Sequence, residues 1–286
     1  MKQNLLQLMS ERMPEFSKGQ RHIAEYIIAH YDRAAYMTAS KLGAAVKVSE
    51  STVVRFADEL GFQGYPELQH ALQELAKTNL TAAQRMEVAD NLLAPENVLD
   101  KVLLGDADKI RQTLEGIDRA AFDAAIRRII SARNIYILGV RSSAALSDFL
   151  TFNFRMMFDH VRPVAGTTGS EIFEQIMDIG REDVFIAISF PRYSKRTVRA
   201  VEYAHDAGAD VIAITDSKAS PLVPHADQAL IARSDMASFV DSLVAPLSII
   251  NAMIAAVSMR KHDEVAVRLR RLERIWDEYD VYDKNG

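Results

Sequence analysis

Residues 36–62 read YMTASKLGAAVKVSESTVVRFADELGF. Leu42, Val46, Val48, Val53, Phe56 and Leu60 recur at the spacing that closes two short helices against a third. The pattern predicts one helix over Thr38–Val46 and another over Ser49–Leu60, with Gly61 where a C-cap would end it. Ser49 suits the N-cap of the second helix, with Thr52 at its third position. That leaves Ser49, Ser51, Thr52, Val54 and Arg55 near an exposed N-terminal half, the part of a helix-turn-helix that meets base edges and phosphates. Arg55 could grip guanine with two bonds, worth ~1–3 kcal/mol of discrimination. Val54 could touch a thymine methyl, while Lys41 and Lys47 suit phosphates, which position without reading sequence. The competing reading is a helical bundle whose serines and arginine are merely solvated.

Outward from this stretch the first part of the chain stays helical. Ser17–Tyr31 places Ile23, Tyr26, Ile27 and His30 on one stripe, and a further helix is expected from Pro66, a good first-turn residue, to about Thr78. Residues 1–78 are read as one domain, and 79–105, with Pro95, as a connector that is partly helical. From residue 106 the texture changes. Strand candidates at Asn134–Gly139, Val161–Val164, Asp183–Ser189, Asp210–Thr215 and Gln228–Ala232 mostly alternate with amphipathic stretches. Continuous apolar strands between helices imply a doubly wound α/β domain over 106–262, its five-stranded parallel sheet covered on both faces. Residues 263–286 form an amphipathic tail with Val265, Leu269, Leu272, Ile275 and Trp276 on one side, suited to packing on the same subunit or a neighbour.

Composition narrows the function. The chain has 286 residues, room for about two domains. It has no cysteine, which removes disulfides, thiolate metal sites and cysteine nucleophiles. The N-terminus lacks the apolar run of a signal peptide. The most apolar stretch, Phe239–Met259, contains Asp241, Pro246 and Asn251, which suits a buried helix better than a membrane span. A cytoplasmic protein with no membrane contact is expected. Net charge is −5, yet nine basic residues from Lys2 to Lys77 balance nine acidic ones from Glu11 to Glu74. Any DNA contact must therefore come from a local surface. The seven histidines are scattered, and no Walker loop or GxSxG occurs, so neither metal nor cofactor is expected.

In a doubly wound sheet, ligands bind beyond the C-terminal ends of the strands. Those ends read LGVRSSAALSDF (138–149), AGTTGSE (165–171) and ISFPRYSKRTV (188–198), turns rich in hydroxyls and arginine. Free N–H groups at the following helix starts suit a phosphate or carboxylate. Arg141, Ser142, Ser143, Thr167, Thr168, Ser189, Arg192 and Ser194 are the candidate ligand groups, although serines at helix starts are commonly only caps. Glu171 is the best-placed acid should there be proton transfer, and otherwise contacts ligand hydroxyls or solvent.

Residues 37–72 resemble the N-terminal domain of RpiR-type transcription regulators, including V-S-E-x-T-V-x-R-F and the following L-G-F-x-G-Y. Residues from about 120 to 260 are similar to the sugar isomerase (SIS) fold, with Gly139 and Ser143 matching its G-x-G-x-S turn and Ser189 and Ser194 the ends of its S-x-[ST]-G-x-[ST] turn. The resemblance implies a DNA-binding regulator, expected to be a repressor of carbohydrate genes controlled by a phosphosugar, and a symmetric dimer or tetramer on double-stranded operator DNA. Five departures stand out: Lys47 replaces a common turn glycine and Gly43 a usual alanine, while Arg141 and Arg192 each replace a pocket glycine. Pro191 also replaces the middle hydroxyl of the second turn. The two arginines either bind a more anionic ligand, such as a phosphorylated sugar acid, or fill the pocket or face a partner subunit. An isomerase with a helical accessory domain is the rival, but it leaves the Ser49–Arg55 pattern idle.

Overall fold

The computed structural model describes residues 5–79, 81–92, 97–166, 168–236 and 238–282. The chain divides into two compact units, Met1–Lys101 with Met236–Asp241, and Val102–Asp235 with Ser242–Gly286.

The first unit contains α1 (Leu5–Glu11), α2 (Lys18–Ala29), α3 (Tyr31–Ala34), α4 (Ala39–Val46), α5 (Glu50–Glu59), α6 (Tyr65–Asn79) and α7 (Ala82–Leu92). Ser17 and Gln20 form a reciprocal capping box that starts α2. The helix expected over Ser17–Tyr31 stops earlier, because His30 leaves helical geometry at φ −138° and ψ 40° and a separate turn, α3, follows. Ile23, Ile27, Leu42, Val53, Phe56, Leu68 and Leu72 are fully buried together, with Phe16 edge-on to Phe56 at 5.2 Å. The Tyr65 hydroxyl donates to the Met37 carbonyl at 2.8 Å, and burial pushes its phenol up to about 12. The 236–241 segment is tied in by the buried Arg85, whose guanidinium meets Asp241 at 2.7 Å.

Helix α8 (Val98–Gly116) runs on through the stretch read as a connector, of which Pro95 lies outside the described residues. The second unit continues with α9 (Arg119–Ser131), β1 (Ile135–Gly139), α10 (Ala144–Met157), β2 (Val161–Val164), α11 (Gly169–Ile176), β3 (Val184–Ile188), α12 (Lys195–Asp206), β4 (Asp210–Thr215), β5 (Gln228–Ile231), α13 (Val244–Arg260) and α14 (His262–Glu278). The sheet is parallel throughout, in the order β2-β1-β3-β4-β5. Successive side chains point to opposite faces. Ile135 and Ile137 join the core formed with α9, α10 and α13, whereas Tyr136 and Leu138 join the one formed with α11 and α12. β1 and β3 are consequently buried at every position.

The amino edge of the sheet is clamped by Asp183, which is fully buried. Its carboxylate accepts two bonds from Arg133 at 3.0 and 2.6 Å, one from Asn134 at 2.8 Å and one from the Gly180 amide at 2.9 Å. Burial by itself would raise this carboxyl, but the Arg133, Asn134 and Gly180 bonds outweigh it and hold it below the usual carboxylate range. At the tail, α14 buries Val265, but Leu269 and Ile275 of its apolar side stay exposed. Among the described residues no single helix is long and apolar enough to cross a membrane, and α13, the apolar stretch of the sequence, buries Ile249, Ile250, Met253 and Val257.

Candidate functional site

Two surfaces bring sequence-chosen residues together, one in each unit. In the first, α4 and α5 are joined by a turn in which Lys47 is left-handed, at φ 59° and ψ 43°. That conformation costs a non-glycine residue about 1–2 kcal/mol. Gly43 explains how the turn closes: a Cβ there would lie 2.8 Å from the Val48 carbonyl oxygen, and the Val48 amide instead donates to the Gly43 carbonyl at 2.9 Å. Thr38 caps α4, and its hydroxyl accepts from the Lys41 amide. Ser49 caps α5, accepting from the Thr52 amide, and its hydroxyl lies 2.8 Å from those of Ser51 and Thr52. Lys41, Lys47, Ser49, Ser51, Val54 and Arg55 are exposed, whereas Thr52 is half-buried and engaged with the cap. The outward groups on the first two turns of α5 thus offer two hydroxyls, a methyl pair and a guanidinium on one amphipathic helix.

In the second unit, register aligns the strand ends. Gly139 pairs with Ile188 and Leu138 with Val164, so the turns leaving β1, β2 and β3 stand side by side at the carboxyl edge. The chain crosses from β1 to β2 on one side while β3 lies on the other, which makes β1/β3 the switch point where doubly wound sheets hold ligands. After β1, a 3-10 turn over Arg141–Ser143 leads into α10. Gly139 is obligatory, because a Cβ would stand 2.4 Å from the Ser143 carbonyl oxygen. Arg141 has φ 58° and Arg192, in the turn after β3, has φ 65°. Both are exposed and have a left-handed backbone of the kind that glycine adopts without strain. Ser143 and Ser189 are buried beneath these turns and Ser142 is exposed. Ser194 stands at the N-cap of α12 but makes no capping bond, so its hydroxyl is not spent on the helix.

The turn after β2 differs. Thr168 and Glu171 form a capping box for α11: the Glu171 amide donates to the Thr168 hydroxyl, and the Glu171 carboxylate accepts from the Thr168 amide at 3.2 Å. Both groups are thereby engaged in starting a helix, a poor arrangement for a proton-transfer base. Thr167 lies outside the described residues.

Sequence reading missed the tether next to Arg192 in the turn after β3. The next residue, Tyr193, donates its hydroxyl to buried Asp216 at 2.6 Å, while Thr215 bonds Ser220 at 2.8 Å. Burial, then the Asp216 charge, push the phenol up, so it remains a donor. The one available signal was an aspartate directly after the apolar run VIAIT.

Comparison with known proteins matches both halves. Residues 3–78 match the helix-turn-helix domain of the rpiR family and residues 128–256 the SIS domain. The HTH-type transcriptional regulator HexR of Pseudomonas aeruginosa is 26% identical over 280 residues, 94% of each chain. HexR of Escherichia coli is 24% identical, covering 94% of this chain and 93% of that one. Among solved structures, the sugar isomerase domain of an RpiR transcription factor from Sphaerobacter thermophilus superposes with a TM-score of 0.59 at 26% identity, covering 62% of this chain and 99% of that one. Vibrio vulnificus NanR, complexed with ManNAc-6P, has a TM-score of 0.59 at 20% identity, covering 96% of this chain and 98% of that one. With a capped, outward-facing helix in its first unit, a 2-1-3-4-5 sheet with converging turns in its second, and these matches across both, the chain belongs to the RpiR-type transcription regulators, an rpiR-family helix-turn-helix domain followed by a SIS domain.

Proposed function

We propose that this chain is a cytoplasmic, ligand-controlled repressor of carbohydrate-metabolism genes. In this reading α5 docks in the major groove of a double-stranded operator. Arg55 reads a guanine, Val54 a thymine methyl, Ser49, Ser51 and Thr52 contact base edges or phosphates, and Lys41 and Lys47 hold the backbone. A symmetric dimer or tetramer presents two such helices to half-sites about 34–36 Å apart or a multiple. The effector occupies the carboxyl edge of the sheet, held by Arg141, Ser142, Ser143, Ser189, Arg192 and Ser194, with Thr167, Thr168 and Glu171 at its flank. Binding there relieves repression, and a coupling of ~1–3 kcal/mol would change operator affinity about 5–150-fold.

The observation that carries the effector class is the pair of left-handed arginines. A strained backbone at two adjacent turns is retained where a planar, permanently charged fork serves a ligand. Two such forks beside free helix N–H groups suit an effector with two anionic groups, a phosphorylated sugar acid. NanR, of the same fold, is complexed with ManNAc-6P, and that supports the phosphosugar half of this assignment. An isomerase activity would need a free acid/base at the same edge, and Glu171 is occupied in its capping box.

Calorimetry with phosphorylated sugar acids on the full chain tests the effector reading. Arg141→Ala and Arg192→Ala should each weaken binding by about tenfold or more, as loss of a charge-assisted fork requires. Unchanged affinity in both variants would leave the arginines as filler or partner contacts. A turnover assay on ketose and aldose phosphates should show no interconversion.

A further inference from the structure

Helix α8 buries polar groups and leaves a stripe of apolar ones in water. In the second unit its inward side carries Asp106, Lys109 and Thr113. The Ser242 hydroxyl donates to Asp106 at 2.6 Å, the Arg233 amide to the Thr113 hydroxyl at 2.9 Å, and Lys109 reaches the Gly105 carbonyl at 3.2 Å. Lys109 and Thr113 are 9% and 7% exposed. The water-facing residues mix charged and polar groups, Asp108, Arg111, Gln112 and Glu115, with exposed apolar ones, Leu104 and a stripe of Leu103, Ala107, Ile110 and Leu114, in which Leu103 is 59% and Leu114 58% exposed. A surface helix ordinarily buries its apolar residues and leaves its polar ones in water. The polar side is already fastened to the strand-to-helix connection after β5, so the apolar side is the one left to be covered.

The pattern of that side indicates what covers it. Positions 103, 107, 110 and 114 advance by four, three and four, the 3.5-residue period of a two-helix seam. The steps are the same in either direction. About a two-fold axis between Asp108 and Lys109, an antiparallel second α8 puts Leu103 opposite Leu114 of the other copy and Ala107 opposite Ile110, each contact made twice. A large residue meets a large one at the ends, and the small Ala107 faces the Ile110 side chain near the axis. Such self-complementarity is what an isologous contact demands. The seam borders an apolar groove of about 420 Å³ walled by Ile117, Phe122 and Ile249, with Arg119 and Asp123 at its rim, so both charge signs are present on one face.

We infer that this face of α8 is where two copies of the chain pair, antiparallel, with Leu103 against Leu114. The inference rests on the dimer reading above and adds the surface, the orientation and the residue register. Because the chain lacks cysteine, the register can be read by cross-linking the full-length protein. Ala107→Cys with Ile110→Cys should oxidise to a covalent dimer, whereas Gln112→Cys, elsewhere on the helix, should not. In sedimentation velocity, Leu103→Lys or Leu114→Glu alone should weaken the dimer by about tenfold or more. The two together should restore it, since each new charge then faces its opposite. Thermal unfolding of each variant checks that the exposed substitutions leave the fold intact. A wild-type dimer with neither a cross-link nor sensitivity to the single charges would overturn this surface while leaving the dimer reading standing. Single charges that weaken the dimer without rescue by the pair, or equal cross-linking of Gln112→Cys, would overturn the antiparallel register. A wild type that stays monomeric would overturn both.

Discussion

Arg141, Arg192 and Lys47 share one backbone property, a positive φ of 58°, 65° and 59°. For each, glycine would relieve about 1–2 kcal/mol of left-handed strain, offset in part by about 0.5–1 kcal/mol of added chain entropy. Arg141→Gly and Arg192→Gly should accordingly leave the unfolding free energy equal or slightly higher in a denaturant titration while weakening effector binding. Lower stability in both would show that the side chains hold the fold. Lys47→Gly should behave likewise in stability, lower affinity for all DNA sequences alike, and reduce the log–log salt slope by about one, the mark of a phosphate contact. Arg55→Ala should instead cost about 1–3 kcal/mol and relax preference at one base position. These residues were legible because a turn's demand for glycine is local, and a departure from it stands out in a short motif. Tyr193 and Asp216 were not, since their bond spans 23 positions and neither belongs to the turn motifs. Glu171 was legible as a flanking acid but not as a cap, a distinction that depends on where its carboxylate turns.

At the level of elements, the five strands lie within a residue or so of their expected bounds, most clearly β1, β3 and β4, where buried parallel strands are continuous apolar runs. The helix break at His30 was hidden inside an unbroken stripe, and the exposed apolar stripe of α8 reads in sequence as an ordinary amphipathic pattern whose inside and outside cannot be told apart. The sheet's amino edge also gives a pH prediction. Asp183 has a folded pKa below its unfolded value of about 3.9, so its contribution is complete above that value and disappears as pH falls through the folded one. Asp183→Asn should therefore destabilise the protein by about 1–3 kcal/mol at neutral pH, the cost of losing a charged partner beneath Arg133, with some screening because Arg133 is half exposed. The gap to wild type should narrow below pH 4 in urea titrations across pH, and a gap that is constant with pH would show that the carboxylate is not the stabilising group.

For the whole molecule, the charge distribution and the division into two units set what regulation requires. The helix-turn-helix half is electrically neutral and the remainder carries the entire −5, so the proposed DNA contact draws on the few cations of α4, α5 and the turn between them, doubled by the proposed dimer symmetry. Fragments enriched from genomic DNA by the purified protein should accordingly contain an inverted repeat, and a single half-site should bind far more weakly. The central claim is that an anion held by the turns of the second unit changes how tightly the first unit holds DNA. Its most direct test is fluorescence anisotropy of such an enriched operator fragment, titrated with protein at fixed salt, with and without saturating phosphorylated sugar acid. The account predicts a fall in operator affinity of about 5–150-fold for the wild type and none for Arg141→Ala with Arg192→Ala. An operator affinity that is the same with and without every phosphosugar and phosphorylated sugar acid tried, or a protein that prefers no DNA sequence over random competitor, would contradict it.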